Sequence, residues 1–328
     1  MAPLLEVKDL KVEFSTRYGN VTALDGVSFE LNAGETLGVV GESGCGKSIT
    51  ALAVMGLIPM PPGRIAGGSI KFKGEELIGA PESRLRQLRG AEIGMIFQEP
   101  MTSLNPVFRV GDQIAEAILL HQGGSKAEAR ARAVELLKTV GIPEPDRRAR
   151  AYPHELSGGM RQRVMIAMAM SCRPQVLIAD EPTTALDVTV QAQIFDLMRE
   201  IQQEFGVAII MITHDMGAIS EMADRVAVMY AGKMIEEGSA DAILDSPGHP
   251  YTSGLIGCIP ILDQAIALSD RPPPLAEIPG VVPPLHLLGA GCAFAERCSQ
   301  VHDACTVSPV LIGAPHAVAC HAYAAGKS

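Results

Sequence analysis

The chain has 328 residues, 47% hydrophobic and 20% charged, the balance of a globular protein able to bury a core. Its net charge of −10 and pI near 5.3 speak against nonspecific binding to nucleic acid. No run of 18 apolar residues occurs, and the charged, alternating N-terminus lacks a secretory apolar region. A cytosolic chain that meets any membrane through a partner is expected.

Residues 4–31 read as two or three strands. Leu5, Val7, Leu10, Val12 and Phe14 roughly alternate, as do Val21, Ala23, Val27 and Phe29. Asn32, Ala33, Gly34 and Glu35 are turn chemistry leading into a buried strand at 36–40. Gly41, Glu42, Ser43, Gly44, Cys45, Gly46, Lys47 and Ser48 then spell G-x-x-x-x-G-K-[ST], with a helix running on through Ile49 to about residue 58. The glycines let successive N–H groups curl around phosphate oxygens, and the positive end of the new helix faces the same anion. Lys47 supplies charge for β- and γ-phosphates, and Ser48 a hydroxyl for Mg²⁺. A chance glycine-rich turn is the bland alternative.

The Pro-rich run at 59–63 is expected to end that helix, and 69–74 reads as a hairpin-like strand. Residues 91–97 form a strand that delivers Gln98. From about 99 to 173 the texture is helical, with Gly141 and Pro143 as stops. Within it, Ser157 is a good N-cap, and Gly158 and Gly159 expose N–H groups suited to a second anion. A plain cap needs no pair of glycines. With only one phosphate loop, such a site makes sense where two copies face each other. Met165, Met168 and Met170 form a stripe best read as core.

A strand at 176–179 ends in Asp180 and Glu181. Asp180 suits a Mg²⁺ shell and Glu181 the orientation of an attacking water; a charged strand cap is the alternative. A strand at 207–213 ends at His214, read as a γ-phosphate contact rather than a packed core histidine. Strands at 226–230 and 234–236 close the main domain. The phosphate loop, Gln98, Asp180-Glu181 and His214 all lie beyond the carboxyl ends of buried strands, where one nucleotide would meet them. Tyr18 is suited to stacking on an adenine face but is uninformative alone. Arg84, Arg86, Arg89, Arg147, Arg148 and Arg150 read as solvated faces or membrane-partner contacts.

Past residue 250 come Pro-rich stretches at 271–274 and 282–284, then Cys292, Cys298, Cys305 and Cys320, four of the seven cysteines. In a reducing compartment this clustering suggests metal: Zn²⁺ or an iron–sulfur cluster. Long, uneven spacings without C-x2-C favour the larger cluster, and unligated buried cysteines remain the alternative. Cys45, Cys172 and Cys258 read as structural.

The residues at 41–48, Gln98, 156–159, 176–181, Ala185-Leu186-Asp187 and His214 stand in the order found in ATP-binding cassette ATPases, which the chain resembles from residue 4 to about 240. The resemblance implies an α/β P-loop NTPase nucleotide-binding domain over 1–250. Its parts would be a RecA-like core, an antiparallel β subdomain and a helical subdomain at about 99–173. It implies that Tyr18 stacks on adenine and that the loop from Gly41 to Ile49 binds ATP and Mg²⁺. Gln98 would sense Mg²⁺ and water and link to the membrane subunit. Ser157, Gly158 and Gly159 would bind the γ-phosphate of ATP held by the opposite subunit. Asp180 would be the metal partner, Glu181 the catalytic carboxylate, Asp187 part of the dimer-contact loop and His214 the switch histidine.

A narrower match lies in Gln98-Glu99-Pro100-Met101-Thr102-Ser103-Leu104-Asn105-Pro106, in 180–187 and in His249-Pro250-Tyr251-Thr252. With the tail (Ile278-Pro279-Gly280, Gly291-Cys292-x-Phe294-x-x-Arg297-Cys298, Ala319-Cys320-His321), these resemble the dipeptide/oligopeptide/nickel importer branch, above all D-type ATPases of dipeptide permeases. Some members carry a four-cysteine [4Fe–4S] cluster in that tail, here a Cys-rich C-terminal extension at 251–328. Glu296 stands where a proline is usual. The resemblance implies an ATP-hydrolysing subunit at the cytoplasmic face of the cell membrane that powers uptake of di- or oligopeptides, with nickel or another small solute as the alternative cargo. It further implies a paralogous ATPase, two transmembrane permease subunits and an extracytoplasmic peptide-binding protein as partners, and no nucleic acid. The acidic charge and single cassette disfavour a soluble ATPase acting on DNA or ribosomes. Glu181 and His214 disfavour a non-hydrolysing module.

Overall fold

The computed structural model describes residues 2–98, 103–184, 186–259 and 277–326. Readings that involve residues 99–102, Ala185 and the Pro-rich run at 271–274 lie outside the described residues. The alternating N-terminal residues form two antiparallel strands, β1 (Leu5–Thr16) and β2 (Gly19–Leu31), joined at Arg17-Tyr18. The wholly buried β3 (Thr36–Val40) leads to α1 (Lys47–Val54). The chain then returns through β4 (Gly63–Phe72) and β5 (Glu75–Glu76), which extend the first hairpin into a sheet of order β2-β1-β4-β5.

Helix α1 is shorter than its apolar run suggested and stops before the prolines. Gly56 turns the chain at φ +61°, and Arg89, just past α2 (Glu82–Leu88), donates to the carbonyls of Met55 and Gly56 at 2.8 Å each. These bonds satisfy carbonyls that a helix end leaves open. Arg84 bridges Glu75 and Glu92, and Arg86 meets Glu82. Arg86 stays largely exposed, as expected of a solvated face, whereas Arg84 and Arg89 are partly buried in ion pairs with acids of their own chain.

After β6 (Ile93–Ile96) comes the helical region: α3 (Val110–Gln122), α4 (Lys126–Thr139) and α5 (Gly158–Ala169). Ser125 and Glu128 form a reciprocal capping box at the start of α4. Met165 and Met170 are buried and Met168 partly so, as expected for core. The chain then alternates through β7 (Val176–Asp180), α6 (Val188–Phe205), β8 (Ala208–Thr213), α7 (Met216–Met222), β9 (Arg225–Tyr230) and β10 (Lys233–Ser239). Strands β9, β3, β8, β7 and β6 lie parallel in that order.

Both faces of this sheet are buried. Leu37, Val39, Ile178, Ile210, Ile212 and Met229 face a core shared with the antiparallel sheet and α1. Their neighbours Val40, Leu177, Ala179, Ile209, Met211 and Val228 face a second core shared with the helices. Two-sided burial is why these strands read as continuous apolar runs. Among the described residues no helix is long and apolar enough to cross a membrane.

Beyond α8 (Ala240–Asp245) and α9 (Pro250–Gly257), the Cys-rich segment returns to the same sheet. A two-residue strand, β11 (Ala317–Val318), pairs antiparallel with Glu236 and Glu237 of β10. The Glu236 carboxylate is fully buried. It accepts from the N–H groups of Gly248 (2.6 Å) and His249 (2.9 Å) and meets His316 Nε2 at 2.6 Å. Phe294 is buried against Tyr230 and Tyr251 in the helical-side core. The tail thus shares apolar packing with the main domain. Glu236→Ala would strand these buried donors, so it should lower the unfolding free energy by about 3 kcal/mol. Denaturant unfolding measures this; a change within ~0.5 kcal/mol would place the docking of the tail elsewhere.

Candidate functional site

The chain leaves β3 through a gap that only glycine fits. A Cβ on Gly41 would lie 2.3 Å from the carbonyl oxygen of Met229. Gly46 has φ +109°, and its Cβ would lie 2.6 Å from Leu24. Both loop ends are therefore pressed against β9 and β2, while Ser43 and Gly44 at the tip are exposed. Lys47 is buried, and its Nζ donates to the carbonyls of Gly41 (2.7 Å) and Glu42 (3.1 Å), folding the loop around the ammonium. Ile49 is half-buried in the first turn of α1. Burial pushes the Cys45 thiol up, which keeps it protonated and structural.

Opposite the loop, Ser48 Oγ donates to Asp180 Oδ1 at 3.1 Å. A hydroxyl and a carboxylate side by side offer the hard oxygen donors that Mg²⁺ requires. Burial raises Asp180 above the usual carboxylate range; Ser48 opposes this and the neighbouring Glu181 charge adds to it. Glu181 takes a left-handed backbone at φ +48°, with its N–H bonded to Ile212 O at 2.8 Å. For a non-glycine residue this costs about 1–3 kcal/mol and is held by its surroundings.

The turn aims the Glu181 carboxylate at two other strand ends. Oε2 accepts from Gln98 Nε2 at 3.0 Å and from Thr184 Oγ1 at 2.8 Å; Oε1 lies 3.3 Å from His214 Nδ1. Burial pushes Glu181 up, but Thr184, His214 and Lys47 together outweigh it and hold the carboxyl below its ordinary value. Burial dominates at Asp180 and the surrounding partners dominate at Glu181, so the adjacent carboxylates shift in opposite directions. Thr184 was missed from sequence because the run 180–187 was read for its acids alone.

Ser157 Oγ accepts from Met160 N–H at 3.3 Å, and Asp187 Oδ1 from Val190 N–H at 3.0 Å, so each caps its helix. Ser157 and Gly158 are exposed, whereas a Cβ on Gly159 would meet Val190 at 2.7 Å. Close packing of α5 on α6 therefore accounts for the second glycine. Among the described residues, no hydrogen bond joins this cap to the phosphate loop of its own chain. Tyr18 is 61% exposed; its ring stacks on His286 at 4.8 Å, and the Arg17 guanidinium lies 4.7 Å from its centre.

The tail also touches the loop. Glu42 N–H donates to Tyr251 Oη at 2.8 Å, and the Glu42 carboxylate accepts two bonds from Arg297 at 2.7 and 3.0 Å. Both residues stand in the motifs quoted above, yet pattern alone gave them no role. Cys292, Cys298, Cys305 and Cys320 line one cavity with His249 and His321. Burial raises the thiols of Cys292 and Cys298, and the other cysteines add to it. Among the described residues, no group of three or more His, Cys, Asp or Glu is arranged to hold a metal ion, so the expected cluster or zinc set is not formed in this geometry.

Residues 24–184 match the family model described as "ABC transporter", and residues 235–305 match "Oligopeptide/dipeptide transporter, C-terminal region". The chain is 54% identical to "Oligopeptide transport ATP-binding protein OppD" of Bacillus subtilis, over 90% of this chain and 81% of that protein. It is 54% identical to the Salmonella typhimurium protein of the same name, over 94% and 90%. Among solved structures it resembles the dimeric ATP-binding cassette MJ0796 in a post-hydrolysis state bound to ADP and Pi. There the TM-score is 0.65 and the identity 26%, covering 72% of this chain and 98% of that one. The geometry also makes a prediction about Glu181. Thr184→Val removes a bond that lowers its pKa, so the carboxyl should stay protonated to higher pH. A ¹³C-carboxyl titration reads this directly, and an unmoved midpoint would remove Thr184 from the account.

Proposed function

This chain belongs to the ATP-binding cassette transporter family, and on that premise we infer that it is the ATP-binding, ATP-hydrolysing subunit of a peptide importer. The observation that carries the chemistry is the convergence of Gln98, Thr184 and His214 on Glu181, beside the Ser48–Asp180 pair at the phosphate loop. The observation that carries the cargo class is the peptide-transporter C-terminal region.

In this reading, loop N–H groups and Lys47 hold the β- and γ-phosphates, and Tyr18, braced by His286, offers its ring to the adenine. Ser48 and Asp180 would hold Mg²⁺, which would supply positive charge to the phosphates. Glu181, held in place by Gln98, Thr184 and His214, takes a proton from water as the water oxygen bonds to the γ-phosphorus. The bond from that phosphorus to the β–γ bridging oxygen breaks, and ADP keeps the electron pair. Gln98 and His214 orient the carboxylate and the water. Most of the rate gain then comes from positioning and fixed charge.

An ATPase of this kind works as a pair and drives permease partners. Exposed Ser157 and Gly158 suit the γ-phosphate of ATP held by a second subunit, with Asp187 in the contact loop. We assign that second subunit to a paralogous ATPase. Two transmembrane permease subunits and an extracytoplasmic peptide-binding protein complete the assembly, with this chain peripheral on the cytoplasmic face and residues 251–328 as its importer-type extension. From the resemblance of the tail we assign the four cysteines to a [4Fe–4S] cluster; they line one cavity but do not stand in a metal-holding arrangement, so the sulfurs would have to close around the cluster.

Tagged Glu181→Gln, purified from its native membrane with ATP and Mg²⁺, should bring along a second cassette ATPase, two polytopic chains and a binding protein. It should hydrolyse ATP at least about a hundredfold more slowly than wild type. Recovery with ribosomes or DNA alone would overturn transport, and wild-type turnover would overturn the role of Glu181. Anaerobically purified wild type should carry iron and sulfide with visible absorbance that Cys298→Ser loses. Zinc, or no metal at all, would end the cluster assignment.

A further inference from the structure

We propose that Arg297 is a positioning residue for ATP binding, acting from the C-terminal extension through Glu42 of the phosphate loop. The inference rests on the reading of residues 41–48 as the loop that holds ATP. Arg297 closes a short turn (Ala295–Arg297) next to Cys298, and its side chain is 4% exposed. All five of its N–H donors have acceptors. Nε donates to Pro279 O at 2.8 Å; Nη1 to Glu42 Oε2 at 2.7 Å and Tyr230 Oη at 3.3 Å; Nη2 to Glu42 Oε1 at 3.0 Å and Ile278 O at 3.4 Å. One planar fork therefore binds the backbone of the extension with some donors and the phosphate loop with others, a geometry open to arginine and closed to lysine.

The partner is as fully engaged. Glu42 is the second residue of the loop, and each of its polar groups is committed: N–H to Tyr251 Oη, carbonyl to Lys47 Nζ, both carboxylate oxygens to Arg297. Its N–H is spoken for and contributes nothing to a phosphate. Glu42 is instead a fixed post from which the exposed tip at Ser43 and Gly44 runs to Gly46. Tyr230, Tyr251 and Phe294, mutually packed edge to face, form the buried wedge beneath it. The same stretch reaches the base end of the site, where His286 stacks on Tyr18.

A phosphate loop binds through aligned N–H groups, and aligning them costs backbone entropy. Holding Glu42 in place beforehand removes part of that cost from the binding step. The contact lies at the start of the loop, away from Glu181, so it acts on binding of ATP and ADP alike and leaves the chemical step alone.

The test titrates the full-length chain with ATP·Mg²⁺ and ADP·Mg²⁺ and measures turnover at saturating ATP. Arg297→Met and Glu42→Gln should each weaken both nucleotides by roughly tenfold. The double variant should be no worse than either single one, and Arg297→Lys should recover part of the loss. Turnover of Arg297→Met at saturation should stay within about twofold of wild type. Wild-type affinity in Arg297→Met, or losses that add in the double variant, would reduce the pair to a docking contact and overturn the proposal. Should Arg297→Met fail to fold, Glu42→Gln carries the same affinity test from the loop side and Arg297→Lys from the extension. A wild-type chain that binds no ATP would instead overturn the phosphate-loop reading itself.

Discussion

Two-sided burial of a parallel sheet governs where this molecule can do chemistry. Strands β3, β8, β7 and β6 have no solvent-facing side, so they carry polar groups only where they end. Parallel pairing brings those ends to one edge in register: Val40 lies opposite Thr213, and Asp180 opposite Ile212. The residues that follow each strand (Gly41, His214, Glu181, Gln98) are then neighbours in space although far apart in sequence. A one-residue slip of β7 against β8 would exchange the two cores and point Asp180 away from Ser48.

Within that edge, local backbone geometry decides which carboxylate does what. Asp180 is the last residue of a strand and inherits its burial, so its charge is disfavoured until a cation or the Ser48 hydroxyl compensates. Glu181 escapes the strand direction by its left-handed turn and lands among donors. The strain of that turn is matched by bonds from Thr184 and Gln98 and by the adjacent imidazole, so the awkward conformation and the lowered pKa have one cause.

Much of this was legible because the determining features are contiguous. The phosphate loop needs glycines at fixed offsets, and an apolar run that ends in Asp180-Glu181 or in His214 announces a strand end. What escaped reading depends on pairs distant in sequence or on elements too short to have a period. Thr184 matters because of a backbone turn three residues earlier. β11 has two residues, below any periodic signal, and its pairing relies on the buried Glu236, which composition would place on the surface. Arg84 and Arg89 looked like solvated charge until the fold brought Glu75, Glu92 and the end of α1 to them.

The tail is the clearest instance of function hidden in distant pairing. A proline-rich, cysteine-bearing segment with, among the described residues, only short helical turns and one two-residue strand builds little core of its own, and here it borrows one: Phe294 packs edge to face on both Tyr230 and Tyr251, and Val318 completes the edge of the sheet. Borrowed packing has a thermodynamic consequence. Tyr251 and Arg297 both hydrogen-bond to Glu42, so undocking the tail would expose the aromatic wedge and remove the bonds that hold the start of the phosphate loop in the same event. The converse holds as well, because a coupling between two regions is shared equally by both. If Arg297 positions the loop as proposed, a nucleotide that orders the loop also tightens the hold on the tail. The boundary near residue 250 therefore separates two sequence textures, while the bonds to Glu42 and the packing of Phe294 run across it.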